Sequence, residues 1–79
     1  MKELSESVNI HGFSTANQIN EISMAITKAV SGHSTKWISS SRVVAAFAVS
    51  DAIKNGVRCR ITPINGNKDW EILIAPKNL

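Results

Sequence analysis

Between Ser7 and Phe13 apolar and polar side chains alternate, so that Val8 and Ile10 fall on one side of an extended chain and Asn9 and His11 on the other. A period of two predicts a short first strand. The period then lengthens. Thr15 and Gln18 have the spacing of a capping box, and Ile19, Ile22, Ile26, Ala29 and Val30 recur at intervals that stack along one helix face. A helix over about Ala16 to Ser31, stopped by Gly32, is expected.

Ser34 to Ile38 is rich in β-branched and aromatic residues and too short for a helix, which predicts a buried second strand. The serines after it suit a helix N-cap. From Arg42 to Lys54 the apolar residues Val43, Val44, Ala46, Phe47, Ala48, Val49, Ala52 and Ile53 point to a largely covered helix, ended by Asn55-Gly56. Arg42, Ser50, Asp51 and Lys54 form its polar edge. In the last third Val57, Cys59 and Ile61 alternate with Arg58, Arg60 and Thr62. Asn65-Gly66 then supplies a turn with positive φ, and Trp70, Ile72 and Ile74 return as the second arm of a hairpin. Pro63 assigns its strand to an edge or a bulge.

The order strand, helix, strand, helix, strand, strand predicts an α/β domain of the α+β two-layer sandwich kind, βαβαββ. Both helices cover one face of a four-stranded mixed sheet, with right-handed crossovers in the first half. A winged-helix module would need a further helix between Gly32 and Ser41, where Thr35-Lys36-Trp37-Ile38 is poor material for one. At 79 residues and 43% hydrophobic content the chain builds one core, so residues 1–79 are read as a single domain with an ordered core from about residue 6 to residue 76. A domain this small gains stability from self-association.

The longest apolar run, Val43 to Val49, is too short to span a bilayer, and Met1-Lys2-Glu3 carries no signal-peptide core; a cytoplasmic location is expected. Cys59 is the single cysteine, which removes an internal disulfide and a thiolate zinc site from consideration and fits a reducing compartment. The net charge of +3 is unevenly spread. Residues 1–35 hold two lysines against three glutamates, a balance of −1, leaving +4 on residues 36–79. That half is the one to face an anionic partner.

The run Ile38-Ser39-Ser40-Ser41-Arg42-Val43-Val44-Ala45-Ala46-Phe47-Ala48-Val49, passing from strand into apolar helix within this element order, resembles the Alba superfamily, nearest to the stage V sporulation protein S family. The resemblance covers about Glu6 to Pro76. It implies an Alba-like fold and a homodimer that binds DNA or RNA through the loop after the first strand, the start of the second helix and the terminal hairpin. Carried onto this chain, it implies nucleic-acid contacts at His11, Ser14 and Thr15, at Lys36, Ser39, Ser40, Ser41 and Arg42, and at Arg58, Arg60 and Lys68. Two features depart from the family pattern: Ser39-Ser40-Ser41 replaces glycines at the strand-to-helix turn, and Gly12-Phe13-Ser14 lacks the lysine pair of the first loop.

The residues support a phosphate-binding surface by their own chemistry too. Free backbone N–H groups at the start of the second helix, its dipole and Arg42 point one way, as a phosphate requires; equally, one serine caps the helix and the others are turn residues. Arg58 and Arg60, two apart on a strand, share a face, with Lys68 near the hairpin tip and Lys36 on another strand. They could instead be ordinary outward polar positions, with Glu71 as a cross-strand partner. Trp37 and Trp70 could stack on bases, although core burial is the commoner fate, above all for Trp70, which shares parity with Ile72 and Ile74.

Catalysis finds little material. His11 and His33 have no metal-ligand spacing, the six acidic residues are scattered, and neither a Gly-x-Ser-x-Gly elbow nor a phosphate-binding glycine loop occurs. No enzyme activity, cofactor or metal is expected. The leading expectation is a small non-enzymatic nucleic-acid-binding protein, homodimeric, contacting phosphates through a basic hairpin and a helix N-terminus. The alternative is a small regulatory or inhibitor protein of phage or plasmid type, acting by protein–protein binding. An exposed apolar patch around Phe13, Trp37 or Leu73 with dispersed arginines would favour it.

Overall fold

The computed structural model describes residues 7–77. Its elements are β1 (Val8–Asn9), α1 (Thr15–Val30), β2 (Thr35–Ser39), α2 (Arg42–Asn55), β3 (Arg58–Ile64) and β4 (Asp69–Ala75). The four strands form one sheet in the order β1-β2-β4-β3. β1 runs parallel to β2, and β4 runs antiparallel to both β2 and β3. The expected two-layer architecture is therefore the observed one: four mixed strands, two helices, and a core of Ile10, Ile22, Ile26, Val44, Ala48, Ile72 and Ile74 between them.

The first strand is much shorter than the alternation of Ser7 to Phe13 suggests. The Phe13 N–H donates to the Ile10 carbonyl at 3.1 Å, turning the chain at His11-Gly12 before further pairing can form. At the start of α1 the cap is Ser14 rather than Thr15. The Ser14 hydroxyl accepts from the Asn17 N–H at 3.1 Å, and Thr15 becomes the first helical residue. Gln18 does not reach back to close a capping box. It lies on the apolar face of the helix and is buried, where an unpaired amide would be costly. Its Nε2 donates to the Phe13 carbonyl at 2.9 Å and its Oε1 accepts from the Ser39 hydroxyl at 2.6 Å.

Helix α2 begins and ends as its sequence predicts. Ser41 caps it by accepting from the Val44 N–H at 3.2 Å, and Gly56 at φ 70° closes it in the left-handed region that glycine adopts without strain. The expectation that it is largely covered fails. Val44, Ala45, Ala48 and Ala52 are buried, but Val43 is 62% and Ile53 73% exposed. A two-layer sandwich covers a helix on one side only, so a helix with apolar residues on more than one side keeps some of them bare beside its polar edge. Val30 is exposed too, as the last residue of α1.

β3 is an edge strand and carries Pro63, as proposed for that residue. The loop to β4 holds Asn65, Gly66 and Asn67 with positive φ in succession, which asparagine and glycine tolerate best. The two tryptophans reverse the expected order. Trp37 is in the core, its indole N–H donating to the Thr35 hydroxyl at 2.9 Å, whereas Trp70, near the end of the sheet, is half-buried. Among the described residues no helix is long and apolar enough to cross a membrane.

Candidate nucleic-acid interface

The parity of β4 decides which side chains share a surface. Ile72 and Ile74 are fully buried beneath the helices, so Glu71, Leu73 and Ala75 point to the other, open face. The register then extends each of these residues into a row. Leu73 is opposite Lys36 on β2 and Arg60 on β3; Glu71 is opposite Ile38 and Thr62; Ala75 is opposite Arg58. Lys36, Arg58 and Arg60 thus come to one face, with Lys36 and Arg60 two strands, or about 10 Å, apart. A shallow groove of about 400 Å³ lies here, walled by Arg58 and Arg60 and floored by Leu73 and Ala75.

The cross-strand partnership foreseen between Glu71 and these arginines is absent among the described residues, because register sets Arg60 opposite Leu73 and Glu71 opposite Thr62. Glu71 instead accepts from the Ser7 hydroxyl at 2.9 Å, reaching across β2 to the start of β1. The one ion pair among the described residues is His11 with Asp69, at 3.0 Å. Lys36 and Arg60 have no acidic partner within that set.

The remaining expected contacts gather at the end of the sheet where both helices start. His11 follows β1, Ser14 and Thr15 open α1, Ser40, Ser41 and Arg42 open α2, and Lys68 sits in the hairpin loop. Ser40, Thr15, Arg42 and Lys68 are exposed, but several of the others are already engaged. The hydroxyls of Ser14 and Ser41 serve as helix caps. Ser39 has to be corrected as a phosphate contact: it is the last residue of β2, fully buried, donating to Gln18 and accepting from the Ser41 N–H at 3.0 Å. Nor do Arg42 and Arg58 approach each other. α2 runs between them, and its 14 residues span about 21 Å.

Two polar clusters went unread in the sequence. One is the chain from the Phe13 carbonyl through Gln18 and Ser39 to the Ser41 N–H, which ties the two helix starts together. Its only sign was a glutamine on the apolar stripe of α1. The other is Asp69, whose carboxylate accepts from Asn65 Nδ2 at 2.6 Å and pairs with His11, tying the hairpin loop to the β1–α1 turn. Nothing local to Asp69 points to His11, which is distant in sequence.

Among the described residues no three His, Cys, Asp or Glu side chains group as metal ligands would. Cys59 is half-buried on the helix side of β3, and burial pushes its thiol up to about 11, which leaves it protonated and unreactive near neutral pH. The apolar patch that would favour a protein partner does not form at the residues named for it. Trp37 is in the core and Leu73 sits among the cations, leaving Phe13 exposed by itself; the bare apolar surface is on α2. In comparisons with known proteins, no family model, no curated protein and no solved structure matches the chain.

Proposed function

We propose that this chain is a small, non-enzymatic, cytoplasmic nucleic-acid-binding protein that holds the phosphates of a polynucleotide on the open face of its sheet. The observation that carries the reading is that register brings Lys36, Arg58 and Arg60 to that one face, where the two arginines wall a shallow groove. Guanidinium and ammonium groups about one strand pair apart can follow a phosphate backbone without reading sequence. With both tryptophans on the helix side, base stacking contributes little, so phosphate contacts supply most of the affinity. Arg42 and Lys68 at the helix-start end extend the basic surface beyond the sheet face. The Alba-like reading of the sequence implies the same chemistry, phosphate contacts from the hairpin residues Arg58, Arg60 and Lys68.

The test is titration of the protein with labelled single- and double-stranded DNA and RNA at two salt concentrations, beside the Arg58→Ala/Arg60→Ala double variant. Salt-sensitive binding that the variant loses supports the reading. Failure to bind any of the four at low salt overturns it.

A second surface supports association with protein. The outer side of α2, with Val43, Val49 and Ile53 exposed, faces away from the basic sheet face, so a homodimer joined through it would leave both phosphate surfaces open. If nucleic acids fail to bind, the same side of α2 becomes the contact for a regulatory protein partner.

A further inference from the structure

Glu71 is out of keeping with a surface built only to hold phosphates. It stands in the middle of the open face, one row from Lys36 and Arg60, where a negative charge weakens every phosphate contact nearby. No cation within the described residues forms an ion pair with it. The carboxylate is nevertheless held: Ser7 donates to Oε2 at 2.9 Å across β2, leaving Oε1 and further lone pairs to accept. Beneath this reach lies Ile38, and Leu73 is next along the face, both half-buried and apolar. A flat base can lie on that floor with its edge towards the carboxylate.

An ionised carboxylate only accepts hydrogen bonds. Guanine alone among the bases offers it two adjacent donors, N1–H and the 2-amino group, on its Watson–Crick edge. Cytosine and adenine set one amino group beside an acceptor, and thymine or uracil flanks its single N–H with two carbonyls that repel the charge. In a duplex the guanine edge is already paired. We propose that Glu71 selects guanine in single-stranded nucleic acid bound on the open face, an inference that rests on the phosphate-binding reading of that face. Lys36 and Arg60 then hold the flanking phosphates while Glu71 reads the base, as recognition of unpaired strands by their Watson–Crick edges requires.

The experiment measures anisotropy of three labelled strands of equal length in lithium buffer: a guanine–thymine repeat, an oligothymidine, and an inosine–thymine repeat that lacks the 2-amino group. Wild type is expected to bind the guanine strand about tenfold tighter than oligothymidine, with the inosine strand between. Glu71→Gln, checked for folding by circular dichroism, should bind oligothymidine at least as tightly as wild type and lose most of the guanine preference. Equal binding of all three strands by wild type, or a preference unchanged in Glu71→Gln, overturns the role of Glu71 while leaving the phosphate surface standing. Absence of binding to every strand overturns that surface, and this inference with it.

Discussion

At the scale of single residues, position on the sheet separates cations that the sequence treats alike. Arg60 stands on the open face opposite Leu73, whereas Arg42 opens α2 at the far end from Arg58. Arg60→Ala is therefore expected to weaken single-strand binding and to reduce the salt slope by about 0.7, the share of one phosphate contact, while Arg42→Ala changes affinity much less. Filter binding across a salt series distinguishes the two. Gln18 presents the opposite case, a buried amide with both ends bonded. Gln18→Ala leaves the Phe13 carbonyl and the Ser39 hydroxyl without their partner and is expected to cost about 2 kcal/mol, read as a lower urea midpoint. Cys59 titrates only above its ordinary value near 9, at about 11 in the fold. Between these values the unfolded chain has lost a proton that the folded one keeps, so stability falls as pH rises through that window and is unaffected below it by this thiol. Alkylation of the native protein at pH 8 should accordingly be far slower than in urea.

At the scale of elements, α2 carries two surfaces with different consequences. Val44 is fully buried, and Val44→Ala should destabilise the domain by about 2 kcal/mol. Ile53 is 73% exposed, so Ile53→Lys should leave the unfolding midpoint of the monomer within about 0.5 kcal/mol and yet abolish a dimer formed through this side. Sedimentation velocity of wild type and Ile53→Lys at several concentrations measures the second effect; a wild type that stays monomeric throughout removes the α2 interface. α1 was readable almost to the residue because its apolar stripe at Ile22, Ile26 and Ala29 is a local, periodic signal. The cap moved from Thr15 to Ser14 because a serine and a threonine side by side offer the backbone the same hydroxyl, and packing of Gln18 decides between them.

At the scale of the whole molecule, the helices occupy one layer and Lys36, Arg58 and Arg60 face away from it. One protomer presents Lys36, Arg58 and Arg60, so binding to a single strand should show a log–log salt slope of about −2, rising to about −4 if a dimer places two such faces on one strand. The slope, read with the sedimentation result, gives the number of faces in contact. A flat response would remove the phosphate mechanism for both assemblies. The small core also leaves the monomer modestly stable, so ligand and partner should each raise its melting temperature.

The elements and their faces were determined by the sequence itself, because the signals are short in range. A period of two sets Arg58 and Arg60 on one side of β3, Ser41 and Gly56 bracket α2, and Asn65-Gly66 turns the hairpin. Tertiary structure alone decided what lies beside what. β4 inserted between β2 and β3 joins Lys36 to Arg60 through Leu73 and turns Glu71 towards Ser7 instead of an arginine. The same packing buries Ser39, brings His11 to Asp69, and leaves one side of an apolar helix uncovered. Strand order and layer coverage depend on pairings between residues far apart in the chain, and no local periodicity records them.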